Sequence, residues 1–126
     1  MAKVFLDTNK VIDLAQRKPE IRNELDGYQV YLSPLSIHIL CYANKTKVPD
    51  GKISQFKKEF QIIDLTDEIL EMSLNGPTND LEDNIQLHSA AKADCDYFLT
   101  NDKKLLKTGY FGKTKICSSL PVSSLY

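Results

Sequence analysis

The chain has 126 residues, 42% of them apolar, with 16 basic side chains against 17 acidic ones. That length supports one compact domain over residues 1–126 and is too short for two, while a net charge of −1 excludes a protein held to a polyanion by overall charge. No run approaches the roughly 18 apolar residues of a membrane span, and the opening MAKVFLDTN turns polar too early for a secretory leader, so a soluble cytoplasmic protein with no membrane partner is expected.

VFLD (4–7) reads as a short buried strand, and Asn9 begins a helix carrying Val11, Ile12, Leu14 and Ala15 on its apolar positions. Pro19 and Gly27 bracket a second short helix, and Val30 to Leu32 form a strand. Ser33-Pro34 is a cap and first-turn pair leading into the helix LSIHILCYANK. Pro49-Asp50-Gly51 is a turn, ISQFKKEF an exposed helix, QIIDL a strand, and TDEILEMSL a helix capped by Thr66 and ended by Gly76-Pro77. Asp80 caps LEDNIQLHSAAKA, whose alanine-rich stripe suits close packing on a sheet. Tyr97 to Thr100 is a strand, Asp102 to Leu106 a helical turn, and Lys113 to Cys117 the last strand. Strands separated by helical crossovers imply an α/β three-layer sandwich with a mainly parallel central sheet flanked by helices. Cys41, Cys95 and Cys117, odd in number and without a CxxC pair, read as free thiols.

In such sheets functional side chains collect beyond the carboxyl ends of the strands. Asp7 ends the first strand and Asp102 lies two residues past the YFLT strand, so both belong at one edge. Asp83 shares a helix face with Leu87, Ala90 and Ala91, which aims its carboxylate along an inward stripe. Three converging carboxylates repel unless a cation offsets them. Mg²⁺ or Mn²⁺ suits oxygen ligands and a phosphate-bearing substrate, and such a site can run metal-assisted phosphodiester hydrolysis.

Taken together, VFLDTN (4–9), SPLSIHIL (33–40), DLEDNIQLHSAA (80–91) and YFLTND (97–102) resemble, in order and spacing, a PIN domain of the 5′-nuclease-like class, and more particularly the VapC-type toxin ribonucleases. The resemblance implies that Asp7, Asp83 and Asp102 bind the metal, with Glu82 as a further acid reaching it directly or through water. It implies that Thr8, Asn9 and Thr100 orient these groups, with Asn101 and Lys103 as further candidates for substrate contact. It also implies an RNA substrate, a cognate antitoxin protein and a homodimer. One departure stands out: the glutamate that PIN nucleases carry on the helix after the second strand falls on Ile39, which cannot ligate a metal. The alternative is therefore a catalytically impaired PIN-fold module that binds RNA or protein.

Plainer readings stand beside these. Asp7-Thr8-Asn9 and Asp80 are good helix caps, and Thr100-Asn101-Asp102 makes a capped turn. His38 and His88 read as structural or exposed, and Lys103, Lys104 and Lys107 as a solvated turn able to touch phosphates. The tyrosines at 28, 31, 42, 97, 110 and 126 form no compact stacking motif. A haloacid-dehalogenase phosphatase expects a second aspartate where Asn9 stands, and the acid pattern of a receiver domain cannot be laid onto the chain.

Overall fold

A computed structural model describes residues 1–122; Tyr126 lies outside the described residues. Strand β1 (Lys3–Leu6) lies at the centre because three of its residues, Val4, Phe5 and Leu6, are wholly buried, as a strand covered on both faces requires. It pairs in parallel with β2 (Gln29–Leu32) on one side and β4 (Tyr97–Leu99) on the other. With β3 (Gln61–Ile62) at one edge, β5 (Tyr110–Phe111) at the other, and β6 (Thr114–Cys117) parallel to β4, the full order is β3-β2-β1-β4-β6-β5. The chain thus winds outward from β1 to β3, then crosses back to β4, and the crevice between β1 and β4 is the point where the winding reverses.

Alternation along β1 divides the interior. Val4 and Leu6 pack with Val11 and Leu14, and with residues from α2 (Ile21–Leu25), α3 (Pro34–Ala43) and α4 (Gly51–Lys58). Phe5 turns the other way, stacks on its register partner Phe98 at 5.6 Å, and meets Leu87 and Ala90 of α6 (Leu81–Lys92) and Leu105 of α7 (Lys103–Thr108). Helix α5 (Asp67–Leu74) packs on α6. This is the three-layer sandwich expected, with a sheet that is mainly parallel.

Several local expectations are corrected. Helix α1 (Thr8–Ile12) starts one residue early and passes into a π turn over Asp13–Arg17, where the Lys18 N–H reaches the Asp13 carbonyl and Asp13 pairs with Arg17. Asp50 closes no free-standing turn but caps α4, its Oδ1 accepting from the Lys52 and Ile53 N–H groups at 2.9 and 3.1 Å. The hairpin strand β5 (Tyr110–Phe111), antiparallel to β6, went unforeseen because two residues carry no readable period. The cysteines are free as expected, although only Cys95 is fully buried.

Candidate functional site

The Asp7 N–H continues the sheet by donating to the Leu99 carbonyl at 3.1 Å, which fixes the residue at the β1/β4 crevice. Its side chain is 5% exposed. Oδ1 accepts from the Thr8 N–H at 2.8 Å and Oδ2 from the Thr100 hydroxyl at 2.6 Å. Burial nonetheless raises the carboxyl above its ordinary range, against the lowering by Thr100 and Thr8, and the charges of Asp102 and Asp80 push the same way. The Thr100 hydroxyl also accepts the Asp102 N–H at 3.0 Å, so one side chain ties both acids to the end of β4. Asp102 in turn caps α7, its Oδ1 accepting from the Lys104 and Leu105 N–H groups at 2.8 and 3.4 Å.

The third segment is the start of α6. Asp80 caps it, Oδ1 accepting the Asp83 N–H at 3.0 Å. Asn84, 2% exposed, fastens the incoming loop. Its Nδ2 donates to the Ser73 and Thr78 carbonyls at 2.9 and 3.0 Å, and its Oδ1 accepts the Thr78 N–H and hydroxyl at 2.9 and 2.6 Å. His88 is structural, with Nε2 3.0 Å from the Gly76 carbonyl and its ring edge-on to Phe111. The Asp83 carboxyl is pushed up to about 6 by burial first, then by the charges of Asp80, Asp7, Asp102 and Glu82. Glu82 is raised by burial, Asp7 and Asp80. Five acids from three distant stretches of chain therefore share one electrostatic neighbourhood. The ion pairs among the described residues use Asp13, Glu59, Glu68 and Asp94, and none of these five.

Asp80, Asp83 and Asp102 line a cleft of about 480 Å³ whose remaining wall includes Thr78, Asn79, Lys104 and Leu105. Among the described residues, however, no three Asp, Glu, His or Cys side chains stand close enough together to enclose a metal ion. The expected convergence is a shared field and not a closed cage, because Asp7 is turned onto Thr8 and Thr100 and Asp102 onto the α7 amides. In chemistry the donor set does fit a hard divalent cation: it is all carboxylate oxygen, it has no ion-pair partner among the described residues, and Asp7, Glu82 and Asp83 are raised by burial and by their acidic neighbours.

Thr8 is buried, and its hydroxyl shares a 2.9 Å hydrogen bond with Ser36 and accepts the Gln86 side-chain amide. Asn9 and Asn101 are exposed. Lys103 is exposed, and its neighbour Lys104, exposed as well, stands on the cleft wall. Ile39 is half-buried on α3, so the helix offers this edge the Ser36 hydroxyl and no carboxylate. Sequence reasoning missed Ser36, Gln86 and Asn84, and it took Asp80 for a cap alone. A usable signal existed, since polar side chains at 84 and 86 of a helix expected to be largely buried must be hydrogen-bonded to something. Gln86 leaves that demand half met, its Oε1 buried without a partner.

No family model matches the sequence, and no curated protein matches it. Among solved structures the chain is similar to one in the crystal structure of VapBC2 from Rickettsia felis bound to a DNA fragment from their promoter, with a TM-score of 0.64, 14% identity, and coverage of 90% of this chain and 96% of that one. At that identity the likeness is one of fold.

Proposed function

We propose that the chain, acting as one domain, is a metal-dependent ribonuclease of the VapC type that hydrolyses RNA phosphodiester bonds. The single observation carrying this reading is the gathering of five carboxyls without ion-pair partners at the sheet's reversal point, where Asp7, Glu82 and Asp83 are raised by burial and by their acidic neighbours. The fold shared with a chain of VapBC2 supports it, as do the four motifs that resemble PIN nucleases. By the same analogy the chain has a protein antitoxin as partner and acts as a homodimer. No helix of the described residues is long and apolar enough to cross a membrane.

Asp7, Asp83 and Asp102 hold Mg²⁺ or Mn²⁺ in this reading, with Glu82 as an auxiliary acid, and the ion when bound supplies a Lewis acid that neutralises charge developing on the phosphate. The chain's own residues do the rest. Thr8 and Thr100 pin the Asp7 carboxylate between two donors, so its direction is fixed before any ligand arrives. Thr100 couples that carboxylate to the Asp102 backbone. Lys104, on the cleft wall, offers a cation to an entering phosphate, with Asn9, Asn101 and Lys103 as outer contacts. The test is cleavage of single-stranded RNA by the purified chain with and without divalent ions. Asp7→Asn and Asp83→Asn should abolish metal-dependent turnover while circular dichroism stays native; equal cleavage by all three proteins in EDTA sinks the proposal.

A second reading, a binding module without turnover, is favoured by Ile39 standing where a carboxylate is expected and by the open arrangement of the acids. Calorimetric titration with Mn²⁺ beside the RNA assay separates the two: RNA binding without turnover supports the module, and robust metal-dependent turnover eliminates it.

A further inference from the structure

At the far end of α3 the chain carries a second surface that the acidic cleft does not use. Tyr42 is 79% exposed, and its ring lies 6.3 Å from that of His38, one helical turn back and also exposed. The two rings border a groove of about 700 Å³ completed by Cys41, Lys45, Thr46 and Val48. Two neighbouring aromatic rings left in water offer faces on which a planar group can stack, and the charge of the adjoining sequence indicates the sign of its occupant. Between residues 38 and 58 stand five lysines, at 45, 47, 52, 57 and 58, against the single acid Asp50, whose Oδ1 is spent capping α4. All five lysines are exposed, and none takes part in an ion pair among the described residues. The rest of the chain holds 11 basic against 16 acidic side chains, so this stretch of sequence is basic within a protein of net charge −1, and its Lys45 stands on the groove wall.

Lys45 adds a conformational observation. It follows the Asn44 cap with φ +53°, the left-handed conformation that glycine normally supplies at this point, and its neighbour's N–H closes the helix end by donating to the Cys41 carbonyl at 2.9 Å. A lysine there is strained relative to glycine, and strain retained at a groove wall is a sign that the side chain itself is wanted.

We infer that the α3 end, through the Tyr42 and His38 rings and the lysines beside them, is a binding platform for single-stranded RNA, with bases stacked on the rings and phosphates on Lys45 and Lys47. Exposed aromatic faces flanked by unpaired cations are the physical means by which unpaired strands are held without reading sequence. The position suits a strand running from the cleft: Ser36 at the start of α3 is hydrogen-bonded to Thr8, the neighbour of Asp7, and Tyr42 follows about 9 Å further along the helix axis. The inference deepens the ribonuclease reading and rests on it for the identity of the ligand.

The experiment is fluorescence anisotropy with a labelled oligouridine of about ten nucleotides, in EDTA so that nothing is cut, alongside the cleavage assay. Tyr42→Ala should weaken binding by about 5-fold or more, since stacking on one ring accounts for at least that. Lys45→Gly should melt at a higher temperature than the native chain yet bind more weakly, with a shallower salt dependence. Tyr42→Ala binding as tightly as the native chain, or a duplex of the same length competing as well as the single strand, overturns the platform. So does a homodimer that Tyr42→Ala dissociates, because the face then belongs to a second copy. The two readings fail separately: Tyr42-dependent binding without any turnover keeps the platform and removes the nuclease, whereas turnover whose KM ignores Tyr42→Ala does the reverse.

Discussion

Replacing Asp83 by asparagine should stabilise the fold at neutral pH and, under the ribonuclease reading, abolish turnover. A carboxyl that ordinarily titrates near 3.8 and here titrates at about 6 has a folded state that binds its proton more tightly than the unfolded chain does. Its favourable contribution is therefore complete below about pH 4 and is lost as pH rises through about 6. Were the group wholly shielded, ionisation would disfavour the folded state by roughly 3 kcal/mol; Asp83 is only half-buried, and solvent screening brings this to about 1 kcal/mol, or about 4 °C in Tm. An acid in a first helical turn is normally favoured by the macrodipole. The net upward direction means that burial and four neighbouring carboxyls outweigh that effect. Thermal melts in EDTA at pH 7.5 and pH 4, for native and Asp83→Asn chains, should show a gain of about 4 °C at the higher pH and none at the lower. A variant less stable at pH 7.5, or an equal difference at both pH values, would refute the claim that these acids repel one another.

Asn84→Ala strands the Thr78 N–H and carbonyl that Asn84 now satisfies, and should cost about 2–4 kcal/mol, read as a Tm lower by roughly 10 °C; a fall of only a degree or two would show that solvent replaces those bonds freely. Ile39→Glu places a carboxylate on a half-buried α3 position, and under the ribonuclease reading it should tighten Mn²⁺ binding by calorimetry and raise turnover; unchanged affinity means α3 does not face the ion. Cys95 is fully buried with its thiol pushed up to about 12 by burial, so iodoacetamide at pH 8 should leave it unmodified in the native chain while it reacts on unfolding, as peptide mapping would report.

The architecture was legible because each principal element announces itself twice. β1 is a short apolar run followed by a capping residue, and α6 is an aspartate cap followed by an acid-rich first turn and a run of small residues. What failed was whatever depends on partners distant in sequence. Nothing local says that Gln86 meets Thr8, 78 residues away, or that Asp80 shares a field with Asp7. The same limit let the acids be placed at one edge without revealing their rotamers: Asp7 and Asp102 could be assigned to strand ends by the chain's winding, yet the hydroxyl of Thr100 and the amides of α7 decide which way their oxygens turn.

The central strand also orders events in time. β1 emerges early in synthesis, but its partner β4 lies more than 90 residues downstream, with Phe5 meeting Phe98 and the Asp7 amide reaching Leu99. Local helices can form before that pairing; the Asp7 side chain cannot gain its Thr100 donor until the ribosome has released residues 97–100. The Asp7 carboxylate thus stays unset through most of translation, and under the ribonuclease reading the chain can act on RNA only once two distant halves have closed on one strand.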